Sequence, residues 1–189
     1  MTRPMRRPLD LEDFAHVKDE RLRRLLAHWL ERRGDDLAPP RMAIDPTAIG
    51  PILANVWMCD FLPAERRFRM RLAGEEIHRF YGRNITQCFF EDIIASGLLD
   101  DVMRRYLRIV EEPAAMHCSG HIYLASERSQ VGERIVLPLM DDGGAITHVI
   151  GASIFRADRF VNDGPIMRES MVETFTPMSL SPAEAAADR

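Results

Sequence analysis

The sequence predicts an α+β fold, in which one five-stranded antiparallel sheet carries helices on one face and is preceded by an amphipathic helix. Three observations lead there. Residues 20–33, ERLRRLLAHWLERR, repeat apolar side chains at helical spacing. Residues 66–73, RRFRMRLA, alternate apolar residues with arginines, the period of a half-buried strand. Between residues 115 and 156 the apolar residues fall into three short runs separated by turn-forming residues, as the strands of a meander do.

Taken in order, residues 1–18 read as irregular, with Pro4 and Pro8 among scattered charges. Residues 19–54 form the leading helix and a connector. In the helix, Leu22, Leu25, Leu26, Trp29 and Leu30 share one face, Asp19 is placed to cap the start and Gly34 to end it. Pro39, Pro40, Pro46 and Pro51 keep the connector free of any long regular element. Residues 55–158 form the sheet domain. Residues 55–62 and 66–73 are neighbouring antiparallel strands, EEIHRFYG and the stretch around Phe90–Ala95 are short helices, and residues 98–112 are a second strong helix stopped by Pro113. Strands are expected at 115–124, 132–140 and 145–156, the last two joined by the tight turn DDGG. Residues 163–189 lose periodicity and read as a disordered tail.

The composition narrows the function class. Apolar residues make up 46% of the chain, enough to build a core without staples. The net charge of −4 gives no sign of a nucleic-acid surface. No apolar run is long enough for a membrane span, and the arginines near the start have no apolar run behind them as a secretion signal would. The cytoplasm is therefore the expected location. Cys59, Cys88 and Cys118 are odd in number and lack CxxC spacing, against both a disulfide framework and a zinc ribbon.

Two segments carry a family resemblance. RFRMRLAGEEIHRFYGRNITQ has a strand ending in R-L-x-G, then a short helix with an aromatic and a Gly, then a polar turn. LLAHWLERRGDDLAPPRMAIDP has a leading helix ending in W-x-x-R-R-G and a connector of the form P-x-R-x-x-I-D-P. Both resemble a bacterial family of short, single-PAS proteins, over roughly residues 22–158. The resemblance implies a PAS fold acting as an isolated sensory module without an attached kinase or cyclase. PAS folds bind haem, flavin or small molecules between sheet and helices, and many act instead as dimerisation or docking modules.

On that expectation the cavity lining is assigned to Phe68, Met70 and Leu72, to Ile77, Phe80 and Tyr81, to Tyr106, and to Leu137, Leu139, Ile150 and Ile154. The alternative is a filled core with no ligand space. The stripe Leu22, Leu25, Leu26, Trp29 and Leu30 must be buried against something, either its own sheet or a second copy. PAS domains often dimerise through such a helix, so the resemblance points to a homodimer there and to an unidentified regulatory protein partner.

Resident cofactors are not expected. In haem-binding PAS domains the long helix commonly supplies a His, and residues 98–112 have none. His78 is the one helical candidate, and with Glu76 and Arg79 beside it a solvent-facing role is the ordinary reading. Photoreactive flavin domains need a Cys directly after the Asn of the turn; here Cys88 follows Asn84 by four residues. His117 and His121 share a strand face but lie about 13 Å apart, too far to ligate one metal ion. The arginine face of Arg66, Arg67, Arg69 and Arg71 fits either an anionic partner or a solvated strand paired with nearby acids. Paired carboxylates fall at turns and helix faces, and no nucleophile elbow, phosphate loop or zinc-protease motif occurs, so no enzyme activity is expected.

Overall fold

The structure is a computed structural model that describes residues 9–125, 128–160 and 171–178. Its elements are α1 (Glu20–Arg33), β1 (Val56–Leu62), β2 (Arg67–Ala73), α2 (Glu75–Tyr81), α3 (Phe90–Ile93), α4 (Ser96–Glu111), β3 (Ala114–Ala125), β4 (Arg128–Met140), β5 (Ile146–Phe160) and β6 (Val172–Pro177). Short 3-10 turns at Arg41–Ala43 and Gly50–Asn55 occupy the proline-rich connector. The sheet order is β2-β1-β5-β4-β3-β6, and every neighbouring pair is antiparallel.

Two features differ from the sequence expectation. The sheet has six strands rather than five, because Val172–Pro177 pairs with β3 from within the segment read as a tail. Residues 163–170 and 179–189 of that segment, and residues 1–8 of the irregular start, lie outside the described residues. Helices also cover both faces: α1 packs on one, and the α2–α4 group on the other.

Strand alternation sorts the side chains into two cores. Val56 and Met58 of β1 point to the α1 side, Trp57 and Cys59 to the other. In β4, Ile135, Leu137 and Leu139 face α1 while Val136 faces away, and in β5, Ile150, Ala152 and Ile154 face α1 while Val149 does not.

The α1 core is tightly closed. Asp19 caps the helix by accepting the Arg21 N–H at 2.9 Å, and Gly34 (φ 54°) ends it. Leu22, Leu25, Leu26 and Trp29 are 0% exposed, packed on the chain's own sheet. Each such side chain contributes about 1.5–3 kcal/mol of burial. Trp29 also donates its indole N–H to the Pro138 carbonyl at 2.8 Å, so its polar edge is satisfied. This corrects the placing of a dimer contact on the stripe. Leu22, Leu25, Leu26 and Trp29 are sealed inside the monomer and cannot meet a second copy, and Leu30 packs half-buried beside them.

Residues ahead of the helix join the same core. Phe14 and Val17 are each 1% exposed. The buried carboxylate of Glu133 on β4 holds this entry in place. It accepts the backbone N–H groups of Lys18 at 2.7 Å and Asp19 at 3.1 Å, and meets His117 Nε2 at 2.9 Å. His117 is thus buried in a polar clamp rather than set on an exposed strand face; the side chain of His121 lies outside the described residues.

Candidate functional site

The second core does not fill. Between the sheet and the α2–α4 group lies a cavity of about 130 Å³. Trp57, Met70, Met116, Cys118, Ile122 and Arg134 form its floor on β1–β4. Tyr81 of α2, Ile85, Phe90 and Ile93 of α3 and the following Ile94 stand on one side, and Leu98, Val102 and Tyr106 of α4 close the roof together with the charged Asp101 and Arg105 of the same helix. Met171, just before β6, completes the lining.

Local sequence explains how these residues come to surround a gap. The Trp57 ring lies directly over Gly151, where a Cβ would fall 2.3 Å from the indole, so only glycine lets the ring lie flat on β5. Gly74 lies against the carbonyls of Leu53 and Ala54, each 2.3 Å from where a Cβ would stand, and this contact sets where β2 turns into α2. Gly82 (φ 66°) ends α2 in the left-handed conformation and directs the chain along the outer edge of β2. There Met70 N–H donates to the Cys88 carbonyl at 2.9 Å, and Gln87 N–H donates to the Met70 carbonyl at 2.6 Å. The helices are thus held off the sheet at this end, with Phe68, Phe90 and Tyr106 packed ring on ring beside the gap.

Polar groups at the site are few and placed. Ser153 is fully buried and its Oγ accepts from both Trp57 Nε1 and Arg134 Nε at 3.1 Å. That fixes the indole and brings the Arg134 guanidinium to 5.9 Å from the indole centroid, a cation–π arrangement at the cavity floor. Arg105 of α4 forms an ion pair with Glu173 of β6, and Arg108 stacks 4.2 Å above the Phe175 ring, so two side chains of α4 tie it to β6. Burial pushes the Cys118 thiol up to about 11, against the opposing pull of Arg134 and Arg105. A thiol so raised stays protonated at neutral pH and is a poor nucleophile.

Of the expected lining, Met70, Tyr81 and Tyr106 border the cavity. Phe68 and Ile77 lie in the same core but outside the lining, and Phe80, also outside the lining, stacks on Phe155. Leu137, Leu139, Ile150 and Ile154 are corrected: they point to the α1 side of the sheet. Leu72 is also corrected, being 41% exposed. His78 lies outside the lining, where its Nδ1 accepts the Ile85 N–H at 3.3 Å. Sequence reasoning missed Trp57, Met116, Cys118, Ile122 and Arg134 on the strands, the lining residues between positions 85 and 105, and Met171. The adjacent charges Glu133 and Arg134 open the apolar run of β4 on opposite faces, so the sequence does not mark which parity of that strand faces the site.

Among the described residues no group of three or more His, Cys, Asp or Glu side chains is arranged to hold a metal ion, and no helix is long and apolar enough to cross a membrane.

An antiparallel sheet with short helices and one long helix enclosing a pocket is the architecture of an α+β domain. The sequence profile described as "PAS domain" matches residues 17–154, and the chain belongs to that family. Two solved structures are similar in fold. The PAS domain of BvgS from Bordetella pertussis has 14% identity and a TM-score of 0.45, over 58% of this chain and 81% of that one. A light-oxygen-voltage domain studied with a flavin analogue has 12% identity and a TM-score of 0.37, over 59% and 84% respectively. No curated protein matches the chain.

Proposed function

We propose that this PAS domain is a receptor for a small apolar molecule, bound non-covalently between the sheet and α4, and that occupancy is read out by a regulatory protein partner. One observation carries the reading: a largely apolar cavity of about 130 Å³ lies between the sheet and the α2–α4 group, while on the other face four α1 side chains are fully buried against the strands. An apolar cavity of roughly 150 Å³ is known to hold a benzene-sized guest. The size therefore favours a ligand of about one ring over haem or a flavin. The lining suits such a guest, with aromatic and aliphatic walls and the Trp57–Ser153–Arg134 group as its polar corner.

The route from ligand to partner would run through α4 and β6. The helix supplies Val102 and Tyr106 to the cavity and Arg105 and Arg108 to β6. A ligand shifts such an element only by binding one of its positions better than another.

Thermal unfolding of the wild type and of Val102→Trp, with a panel of one-ring aromatic and short aliphatic compounds, tests this. A compound that raises the Tm of the wild type and leaves the blocked variant unmoved supports the receptor reading. A Tm unmoved by every compound, together with no small molecule released from the denatured wild type, would sink it. A Soret or flavin band in freshly purified protein would replace it with cofactor binding.

A further inference from the structure

The floor and the roof of the cavity differ in chemistry. On the sheet, Trp57 brings a π-face, Met70, Met116 and Cys118 bring sulfur, and Arg134 brings a cation; Ile122 is the plain hydrocarbon among them. The roof and its side wall carry Ile93, Ile94, Leu98 and Val102. The opposite face of the same sheet is built otherwise: the strand residues of the α1 core are aliphatic apart from Met58. Val136 and Val149 share the core of the cavity but lie outside its lining. The polarisable groups of the sheet are therefore gathered where the space is open.

The rings beside the gap stand in an order that a guest ring can continue. Phe90 meets Tyr106 edge to face with centroids 4.9 Å apart, and Tyr106 lies 5.9 Å from Trp57 at a tilt of 32°. All three are buried. The indole is held against the Gly151 backbone and tied at its N–H to Ser153, and Arg134, bonded to the same Ser153, stands 5.9 Å from the indole centroid. Met116 and Cys118 alternate on β3 and so point to the same side, and Met171 enters from just before β6. Groups locked in place before binding lose little freedom when a guest arrives.

We infer that the guest is an aromatic ring and that the cavity selects it over a saturated ring of the same carbon number; the inference rests on the receptor reading. Burial of apolar surface cannot make that choice. By area alone the saturated ring, with more hydrogens and a larger surface, is the better guest. An aromatic guest gains contacts that a saturated one lacks: sulfur against its edge, edge-to-face packing with a neighbouring ring, and attraction of a guanidinium to its face. Met70, Met116 and Met171 supply the first, Trp57 and Tyr106 the second, and Arg134 the third. The choice between the two guests therefore depends on the polarisable groups of the lining rather than on its size.

The test compares benzene with cyclohexane and toluene with methylcyclohexane on the full chain. Dissociation constants are read from methionine methyl shifts and from competition between the two members of each pair. Each aromatic compound should bind about three- to thirtyfold tighter than its saturated partner. Met116→Leu and Met171→Leu nearly conserve volume and remove the sulfur; each should weaken benzene about two- to tenfold and leave cyclohexane unchanged. A saturated ring too thick to enter would inflate the first ratio, so the two swaps decide separately: benzene binding unchanged in both variants overturns the inference whatever that ratio is. Saturated rings that bind as tightly as the aromatic ones, or tighter, also overturn it and leave the receptor reading standing. The absence of a saturable shift with all four compounds overturns it as well, and the receptor reading then stands or falls on the wider panel of the thermal unfolding test.

Discussion

The two faces of the sheet are built from the same kinds of residue and end in different states. On the α1 side, four large side chains of one helix enter a row of Ile, Leu and Val from β1, β4 and β5 and are fully buried there. On the other side, the strands offer Trp57, Met70, Met116 and Cys118 to three helices that meet at angles, and about 130 Å³ stays open. A single straight helix can match one sheet groove along its length. On the other face the short α2 and α3, linked by the 83–89 connector, and the longer α4 leave a gap where they meet. Close packing thus gives a stable platform on one face and room for a guest on the other.

That contrast can be broken at its stable end first. Trp29→Ala should cost about 3–5 kcal/mol, since it empties a closed core and removes the bond to Pro138. Urea unfolding reads this directly; a loss under 1 kcal/mol would mean that α1 is less tightly docked than the structure shows. Next, Glu133→Gln removes the charge from a carboxylate that takes two backbone N–H groups and a His, and should cost about 1.5–3 kcal/mol. Amide exchange should show the loss concentrated in residues 14–22.

A paired enlargement sharpens the comparison. Ala152→Leu adds volume to the filled side and should destabilise by about 1–3 kcal/mol. Val102→Leu adds a methylene toward the cavity and should be neutral or slightly stabilising. Equal penalties for both would show that the two faces are packed alike.

The smallest expected effect is in pH. His16 and His148 both have pKa values held below the usual imidazole value, with burial the first cause. A base whose folded pKa is lowered favours its neutral form in the folded state. Their contribution is therefore fully present above pH 6.5 and lost as pH falls from there through the folded values. Asp19 is held low by its bonds to Arg21, so its contribution fades only as pH falls below 3.8. Denaturant midpoints at pH 7.5 and 5.5 should differ in the wild type and less so in His16→Asn. A midpoint that rises on acidification would contradict the assignment.

How much of this was legible in the sequence depended on whether one face or two was buried. β2 buries one face, so Phe68 and Met70 alternate openly with arginines and its phase could be read. β4 buries both faces, so Ile135, Val136 and Leu137 run on without alternation, and Leu137 and Leu139 were assigned to the wrong side. The amphipathic stripe of α1 stated that it would be buried, but a stripe does not encode whether its partner is a sheet of the same chain or a second copy. β6 pairs along one side only, at the sheet edge, and its Thr-rich VETFTP run has no apolar period to announce a strand. The cavity was legible as a place but not as a lining, because a gap is a property of how α2, α3 and α4 meet rather than of any one segment.

The most direct test of the two-faced account uses methionine methyl groups as reporters. Met70, Met116 and Met171 line the cavity, whereas Met58 and Met178 sit in the α1 core. In methyl-labelled protein titrated with benzene, the account predicts saturable shifts at Met70, Met116 and Met171 and none at Met58 and Met178. Shifts spread equally over both sets, or absent from the cavity set, would contradict it.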